Sequence, residues 1–301
     1  MKDYGHRPVL LEEAITYLQA TRPGVYIDCT VGLGGHALEI LRRNPGAKII
    51  GFDLDETSLK EAAKRLTEYS SRVKLFQADF RNMLEFKKLI PFEEVRGLLA
   101  DLGISSFQLD NPERGFSFNL EGPLDMRMDQ RQKITAEKIL MSYPEARLAE
   151  IFRKYGELHH TRLLARKIVS SRKLGLLKTT TDLKNLVEET YRWVPQKNRL
   201  HPAARVFQAL RIEVNQELKG LDDFLENIAQ RCLPGTRLVV ISFHSLEDRL
   251  VKRAFQRLAS NRDGTQPVVR IITRKPVRPT AEEIAINSRS HSAKLRAAER
   301  I

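Results

Sequence analysis

Asp28-Cys29-Thr30-Val31-Gly32-Leu33-Gly34-Gly35-His36 follows a short apolar run, Val25-Tyr26-Ile27, and leads into a helical one, HALEILRR at 36–43. A glycine-rich turn between a strand and a helix lets backbone approach a bound nucleotide closely. The spacing is not that of the dinucleotide loop G-x-G-x-x-G, which would need glycine where Ala37 stands. It matches instead the acidic-x-G-x-G-x-G loop of methyltransferases, with Thr30 in place of the first glycine. S-adenosylmethionine has no phosphate; it needs room for its amino-acid end and an acid for its ribose. Asp53, in the next apolar run KIIGFDLD at 48–55, stands close to the roughly 20-residue offset expected of a ribose-binding carboxylate. The structural alternatives are an ordinary turn for Gly34 and Gly35 and a helix cap for Asp53, with Asp55 equally well placed to cap. Two signals at matching spacing favour the cofactor reading over either alternative taken alone.

Working outward, short apolar runs alternate with helical stretches: VYIDCT at 25–30, HALEILRR, KIIGFDLD, ETSLKEAAKRLTEY at 56–69, VKLFQ at 73–77 and GLLADLG at 97–103. This is the βαβ rhythm of a parallel sheet. Upstream, Val9, Leu10, Ala14, Ile15 and Leu18 recur at helical spacing behind Pro8, which a first helical turn tolerates. From Asp110 the rhythm breaks into DNPERGFSFNLEGPLDMRM at 110–128, then basic helical stretches, ARLAEIFRKYG at 146–156 and TRLLARKIVSSRK at 161–173. The expected organisation is an α/β domain over 1–109 and 201–301 with a helical domain inserted at 110–200. One long amphipathic helix is expected over VFQALRIEVNQELKGLDDFLENIAQRCL at 206–233, then the breaker Pro234-Gly235 and a buried strand, RLVVISF at 237–243. LEDRLVKRAFQRL at 246–258 reads as helix and VVRIIT at 268–273 as a last strand, leaving a polar, basic tail from about Arg274 to Ile301.

The 301 residues are enough for one good core and a second, smaller one. Lys and Arg outnumber Asp and Glu by 51 to 38, a formal charge of +13 that suits a polyanionic partner as well as it suits a plain solvated surface. With two cysteines, Cys29 and Cys232, neither a disulfide framework nor a four-thiolate zinc site can be built, which points to the cytoplasm. No run approaches the roughly 18 apolar residues of a membrane span, and MKDYGHRPVLLEEAI lacks the apolar stretch of a signal peptide. A homodimer is neither required nor excluded.

Ligands of open α/β sheets bind outside the carboxyl ends of the strands, so Asp101-Leu102-Gly103-Ile104-Ser105-Ser106-Phe107-Gln108 should face a reacting methyl group. Methylating an exocyclic amine requires its lone pair to be aimed and a proton to leave, and Asp101 is the acid placed for both tasks. Amine-specific nucleic-acid methyltransferases often carry Asp/Asn-Pro-Pro-aromatic here; this chain does not, so Asp101 could equally bind the cofactor. Asp79-Phe80, after VKLFQ, could bond and cover an adenine, or Phe80 could be core. His36 could cap its helix or touch ligand. Ser105 and Ser106 read as helix caps.

Longer strings carry a more specific signal: HRPVLLEEA at 6–14, DCTVGLGGH at 28–36, DLGISSFQLD at 101–110, RGFSF at 114–118, PLDMRM at 123–128, HPAARVFQALRIEVNQEL at 201–218, ISFHSLEDR at 241–249 and KLRAAER at 294–300. In this order they strongly resemble the bacterial ribosomal RNA small-subunit methyltransferase H family, also called MraW, over almost the whole chain. The resemblance implies a Rossmann-like, seven-stranded class I methyltransferase domain with an inserted helical domain for substrate recognition. It implies S-adenosylmethionine as cofactor, the N4 amine of a decoding-centre cytidine of 16S ribosomal RNA in the small subunit as target, and no metal. It also implies cofactor contacts by Gly34, Gly35, His36, Asp53, Phe80, Asp101 and Gln108. Ala204 and Val206 depart from the family's usual threonines, and Ser288 and His291 from its proline and arginine.

Arg114, Arg127, Arg205 and Arg211 lie in these motifs, and arginine forks suit phosphates and base edges, against the alternative of pairing with Asp125, Asp129 or Glu213. Phe116 and Phe118 are expected in a core sooner than under a base. His159-His160 reads as helix surface, not a zinc site. In ISFHSLED, Ser245 is expected to cap the next helix with Glu247 and Asp248 at its start; without a G-x-S-x-G elbow, His244, Ser245 and Asp248 do not make a hydrolase set. The residues admit two rival functions. An NAD-dependent oxidoreductase is disfavoured by Ala37, and a non-catalytic ribosomal RNA-binding or assembly factor on a methyltransferase scaffold is disfavoured by the glycine loop and Asp53.

Overall fold

The computed structural model describes residues 8–193, 201–260 and 266–301; His6 and Arg7 of the first motif lie outside them. The chain divides into two compact units, Met1–Gly103 with Leu218–Ile301, and Ile104–Glu217. These boundaries differ from 109/110 and 200/201 because the residues at both edges are built into the second unit's core: Ile104 and Leu109 on one side, and Ala203, Val206, Phe207, Leu210 and Val214 on the other.

The first unit is built on seven strands: β1 (Gly24–Asp28), β2 (Ala47–Asp53), β3 (Val73–Gln77), β4 (Val95–Asp101), β5 (Arg237–Ser242), β6 (Val269–Ile271) and β7 (Lys294–Arg300). Their order is β3-β2-β1-β4-β5-β7-β6, with β7 antiparallel to both of its neighbours. That is the Rossmann-like sheet of class I methyltransferases. Strands apolar on both faces need cover on both, and alternate residues serve each side. Tyr26, Ile49, Leu99 and Val239 pack with the helices α1 (Leu11–Leu18), α2 (Gly35–Arg43) and α3 (Glu56–Arg65). Val25, Ile27, Phe52, Leu98 and Val240 form the opposite core with Phe224, Leu225, Ile228, Val251 and Phe255 of two later helices.

The second unit holds α4 (Ser106–Asp110), α5 (Ala136–Ser142), α6 (Glu145–Gly156), α7 (Thr161–Lys173), α8 (Thr180–Tyr191) and α9 (Pro202–Asn215). Its core gathers Phe116, Leu124, Ile139, Phe152, Leu164, Leu183 and Phe207. The loop before α5 is fixed at Gly122, where a Cβ would lie 1.9 Å from the Pro112 carbonyl oxygen and where the amide donates to Thr180 Oγ1 at 3.0 Å. The remaining helices, α10 (Leu221–Arg231), α11 (Ser245–Leu258) and α12 (Ala281–Ile286), belong to the first unit. Among the described residues no helix is long and apolar enough to cross a membrane.

Two expectations are corrected. The long helix over 206–233 is two helices, because Gln216 and Gly220 take left-handed conformations (φ 51° and 70°) that end α9 and open α10. The basic tail is in large part structured: Leu295, Ala297 and Ala298 of β7 are fully buried between β5 and β6. Alanine and arginine do not announce a strand, and here the sheet's need for a partner decides.

Phe152 is fully buried in the second unit's core. Phe152→Ala should therefore cost about 3–5 kcal/mol in denaturant unfolding, a loss that a surface position would not give.

Candidate cofactor and active site

The parallel register brings Asp28, Asp53 and Asp101 to the same edge of the sheet, each as the last residue of its strand. The glycine turn is fastened to these acids. Asp53 accepts from the Gly32 amide at 2.8 Å and from the Asp55 amide at 2.9 Å, and Asp28 accepts from the Thr30 amide at 3.2 Å. The Asp101 amide donates to Thr30 Oγ1 at 2.7 Å, which links the loop to β4 as well. Gly34 sits at φ 75°, where a side chain is strained, and a Cβ on Gly35 would come within 2.5 Å of the Pro8 ring. Both glycines are thus needed for the turn itself, and their amides head α2.

Asp55, not Asp53, caps α3, accepting from the Thr57 amide and from Ser58 Oγ. Two backbone donors occupy only part of what a carboxylate can accept, so Asp53 retains lone pairs for a diol. Burial pushes the Asp53 carboxyl up to about 6, against the pull of the Asp55, Gly32 and Leu54 amides. Asp28 is buried with one hydrogen bond, and burial lifts it to about 7, with the His36 ring opposing and Asp101 and Asp53 adding to the rise. His36, on the first turn of α2, is buried with both ring nitrogens outside hydrogen-bond geometry; Nε2 lies 3.5 Å from Asp101 Oδ2. Asp101 Oδ1 is likewise buried without a partner, while the side chain as a whole is 23% exposed. His36 is therefore no cap, and Asp28, to which sequence reading assigns no role of its own, joins this cluster of buried polar groups.

These residues fit S-adenosylmethionine. An unsatisfied Asp101 oxygen, free capacity on Asp53 and a turn whose glycines exclude side chains together offer acceptors and close backbone. Phe80 meets Phe224 edge-on at 4.9 Å, which fixes its ring, and Asp79 is held by Arg81 through both carboxylate oxygens. An adenine amine would have to share that acid.

The remaining expected residues fall in the second unit and are described within it. Gln108 is buried and closes a capping box with Ser105, its Oε1 accepting from the Ser105 amide at 3.0 Å. Arg114 is buried and donates to the carbonyls of Arg127 and Met128. Arg127 forks onto Asp125 at 2.8 and 2.7 Å. Arg211 forks onto Glu217, while Glu213 pairs with Arg147. Arg205 is exposed and donates to the Glu157 carbonyl at 2.9 Å. Phe116 is core; Phe118 stacks on His201 and meets Phe207, and His159 and His160 are exposed.

In the first unit the α11 cap is His244 rather than Ser245: its Nδ1 accepts from the Glu247 amide, and Glu247 accepts from the His244 and Phe243 amides. Asp248 stands in the first turn of α11, as expected, and also binds Arg296 at 2.6 Å and Lys294 at 3.4 Å on β7, where the strand's buried arginine needs a counter-charge.

Asp28 titrates higher in the folded chain than its ordinary 3.8, so its contribution to stability is complete below about 4 and is lost as pH rises through about 7. Asp28→Asn removes that loss. Its stability relative to wild type should grow between about pH 4 and pH 8, towards roughly 4 kcal/mol at about 1.4 kcal/mol per unit, as read by urea unfolding at each pH.

A model of the MraW methylase family matches residues 3–301. A Ribosomal RNA small subunit methyltransferase H of Carboxydothermus hydrogenoformans is 46% identical over 311 residues, covering 99% of this chain and 99% of the relative. One of Thermotoga neapolitana is 47% identical over 300 residues, covering 98% and 95%. One of Clostridioides difficile is 42% identical over 313 residues, covering 99% and 100%. Matched along nearly its whole length by the family model and by relatives that it covers from end to end, the chain belongs to the MraW methylase family.

Proposed function

We propose that this chain uses S-adenosylmethionine to methylate 16S ribosomal RNA of the small ribosomal subunit, at the exocyclic N4 amine of a decoding-centre cytidine, in the cytoplasm. The observation that carries the reading is the convergence of Asp28, Asp53 and Asp101 with the Gly34-Gly35 turn at one edge of a methyltransferase sheet. The relatives' name, Ribosomal RNA small subunit methyltransferase H, supports the substrate, and the net charge of +13 suits a polyanion.

In this reading Gly34, Gly35 and His36 take the cofactor's amino-acid end, Asp53 its ribose hydroxyls and Phe80 its adenine. When bound, the cofactor supplies a methyl carbon made electrophilic by the sulfonium. Asp101 accepts a hydrogen bond from the amine, which aims the nitrogen lone pair along the line of transfer and gives the departing proton a base. Arg205, the most exposed of the four motif arginines, contacts phosphate; Arg114, Arg127 and Arg211 shape the fold around the RNA-binding face through the contacts already given.

Labelled S-adenosylmethionine and small ribosomal subunits should yield N4-methylcytidine on digestion and mass spectrometry; no transfer despite cofactor binding would overturn the reading. Asp101→Ala should lower turnover at least about 100-fold with an unchanged circular dichroism spectrum. Because the Asp53 carboxyl sits near 6, cofactor affinity measured by calorimetry should fall as pH drops from 7 to 5. Asp53→Asn should bind about ten- to a hundredfold more weakly and lose that dependence, as expected for hydrogen bonds to a charged acceptor.

A further inference from the structure

A buried carboxylate carrying a single hydrogen bond is costly unless something nearby shares its charge or its proton. Asp28 is 2% exposed, and two routes lead from it to Asp101. One is a run of hydrogen bonds, from the Thr30 amide to Asp28 Oδ1 and from the Asp101 amide to Thr30 Oγ1. The other is the His36 ring, which is 6% exposed, forms no hydrogen bond, approaches Asp101 Oδ2 to 3.5 Å and acts electrostatically on Asp28. The charged groups that act electrostatically on Asp28 are His36 from α2, Asp101 from β4 and Asp53 from β2; beside it on the chain, burial holds the Cys29 thiol protonated, well above its usual range. The cluster is thus an imidazole among carboxylates, with Asp28 and His36 buried and Asp101 partly exposed.

The geometry points to Asp28 and His36 as positioning residues that hold, behind Asp101, the proton released by the acceptor amine. The inference rests on the reading of Asp101 as the acid that faces that amine. Transfer forms a nitrogen–carbon bond from the amine lone pair, the carbon–sulfur pair stays with sulfur, and one N–H proton must leave for the product amine to be neutral. That proton passes to Asp101 as its O–H bond forms, then to His36 Nε2, where Asp28 balances the imidazolium charge. It returns to water through the exposed side of Asp101. A proton shared in this way also answers why Asp28 is tolerated where it is: burial favours its neutral form to about 7, within the range in which an imidazole exchanges protons.

The test follows the His36 ring by NMR in the full chain with 15N-labelled histidine, alongside the pH profile of methyl transfer to small subunits at saturating cofactor. Asp28→Asn keeps the acceptor for the Thr30 amide and removes the charge. It should lower the His36 midpoint by a unit or more, leave cofactor affinity within about threefold of wild type, and slow transfer at pH 7 at least tenfold, with the rate recovering towards pH 9. His36→Asn should reproduce that altered pH profile. An unmoved His36 midpoint in Asp28→Asn, or an unaltered pH profile in both variants, would overturn the inference. The titration needs no substrate, so a wild-type chain that transfers no methyl group overturns the functional reading, while the coupling of Asp28 to His36 is decided by the ring.

Discussion

Three parallel strands side by side, each ending on an aspartate, create the electrostatic problem around which this site is built. The register of β1 with β2 and β4 leaves no freedom to separate Asp28, Asp53 and Asp101. Each acid is accommodated differently. Asp53 is bonded by the Gly32 and Asp55 amides, Asp101 keeps one side towards water, and Asp28 is enclosed with a raised proton affinity. The glycine turn is the common solution, since its backbone supplies the donors, and Thr30 joins two of the acids through its amide and hydroxyl. Loop conformation and site charge are therefore one variable.

The strands that carry these acids are legible in the sequence because β1, β2 and β4 are buried on both faces and read as unbroken apolar runs closed by Asp. β7 is not legible. Its Lys-Leu-Arg-Ala-Ala-Glu-Arg run depends on small side chains fitting between two strands, and its Arg296 depends on Asp248, far away in sequence. The break between α9 and α10 hides for another reason: helical spacing continues across it, and only the backbone angles of Gln216 and Gly220 reveal the stop. For the α11 cap, serine was the natural expectation, but an imidazole Nδ1 can accept from an amide as a serine oxygen does.

Within the candidate site, spacing alone singles out the glycines and Asp53, whereas the closeness of His36 to Asp101 depends on how α2 meets β4. The arginines show how local context limits such reading. Asp79 with Arg81, Asp125 with Arg127 and Asp129 with Arg131 share one arrangement, in which the aspartate accepts from the arginine amide at 2.9 Å and from its guanidinium. An arginine two residues after an aspartate in a turn is thus already engaged before any phosphate arrives, a rule that would have set Arg127 apart from Arg205 in advance.

The placement of β7 also bears on the order in which the first unit can form. β4 pairs on one side with β1 and on the other with β5, and β5 needs β7, yet β5 follows the whole of the second unit along the chain. During synthesis the growing sheet therefore presents the open edge of β4 while Ile104–Glu217 is added, and an unpaired edge is a template for wrong partners. The second unit is continuous in sequence and has its own core, so it can condense before that edge is closed. The insertion then acts in the folding history as a delay between two halves of one sheet.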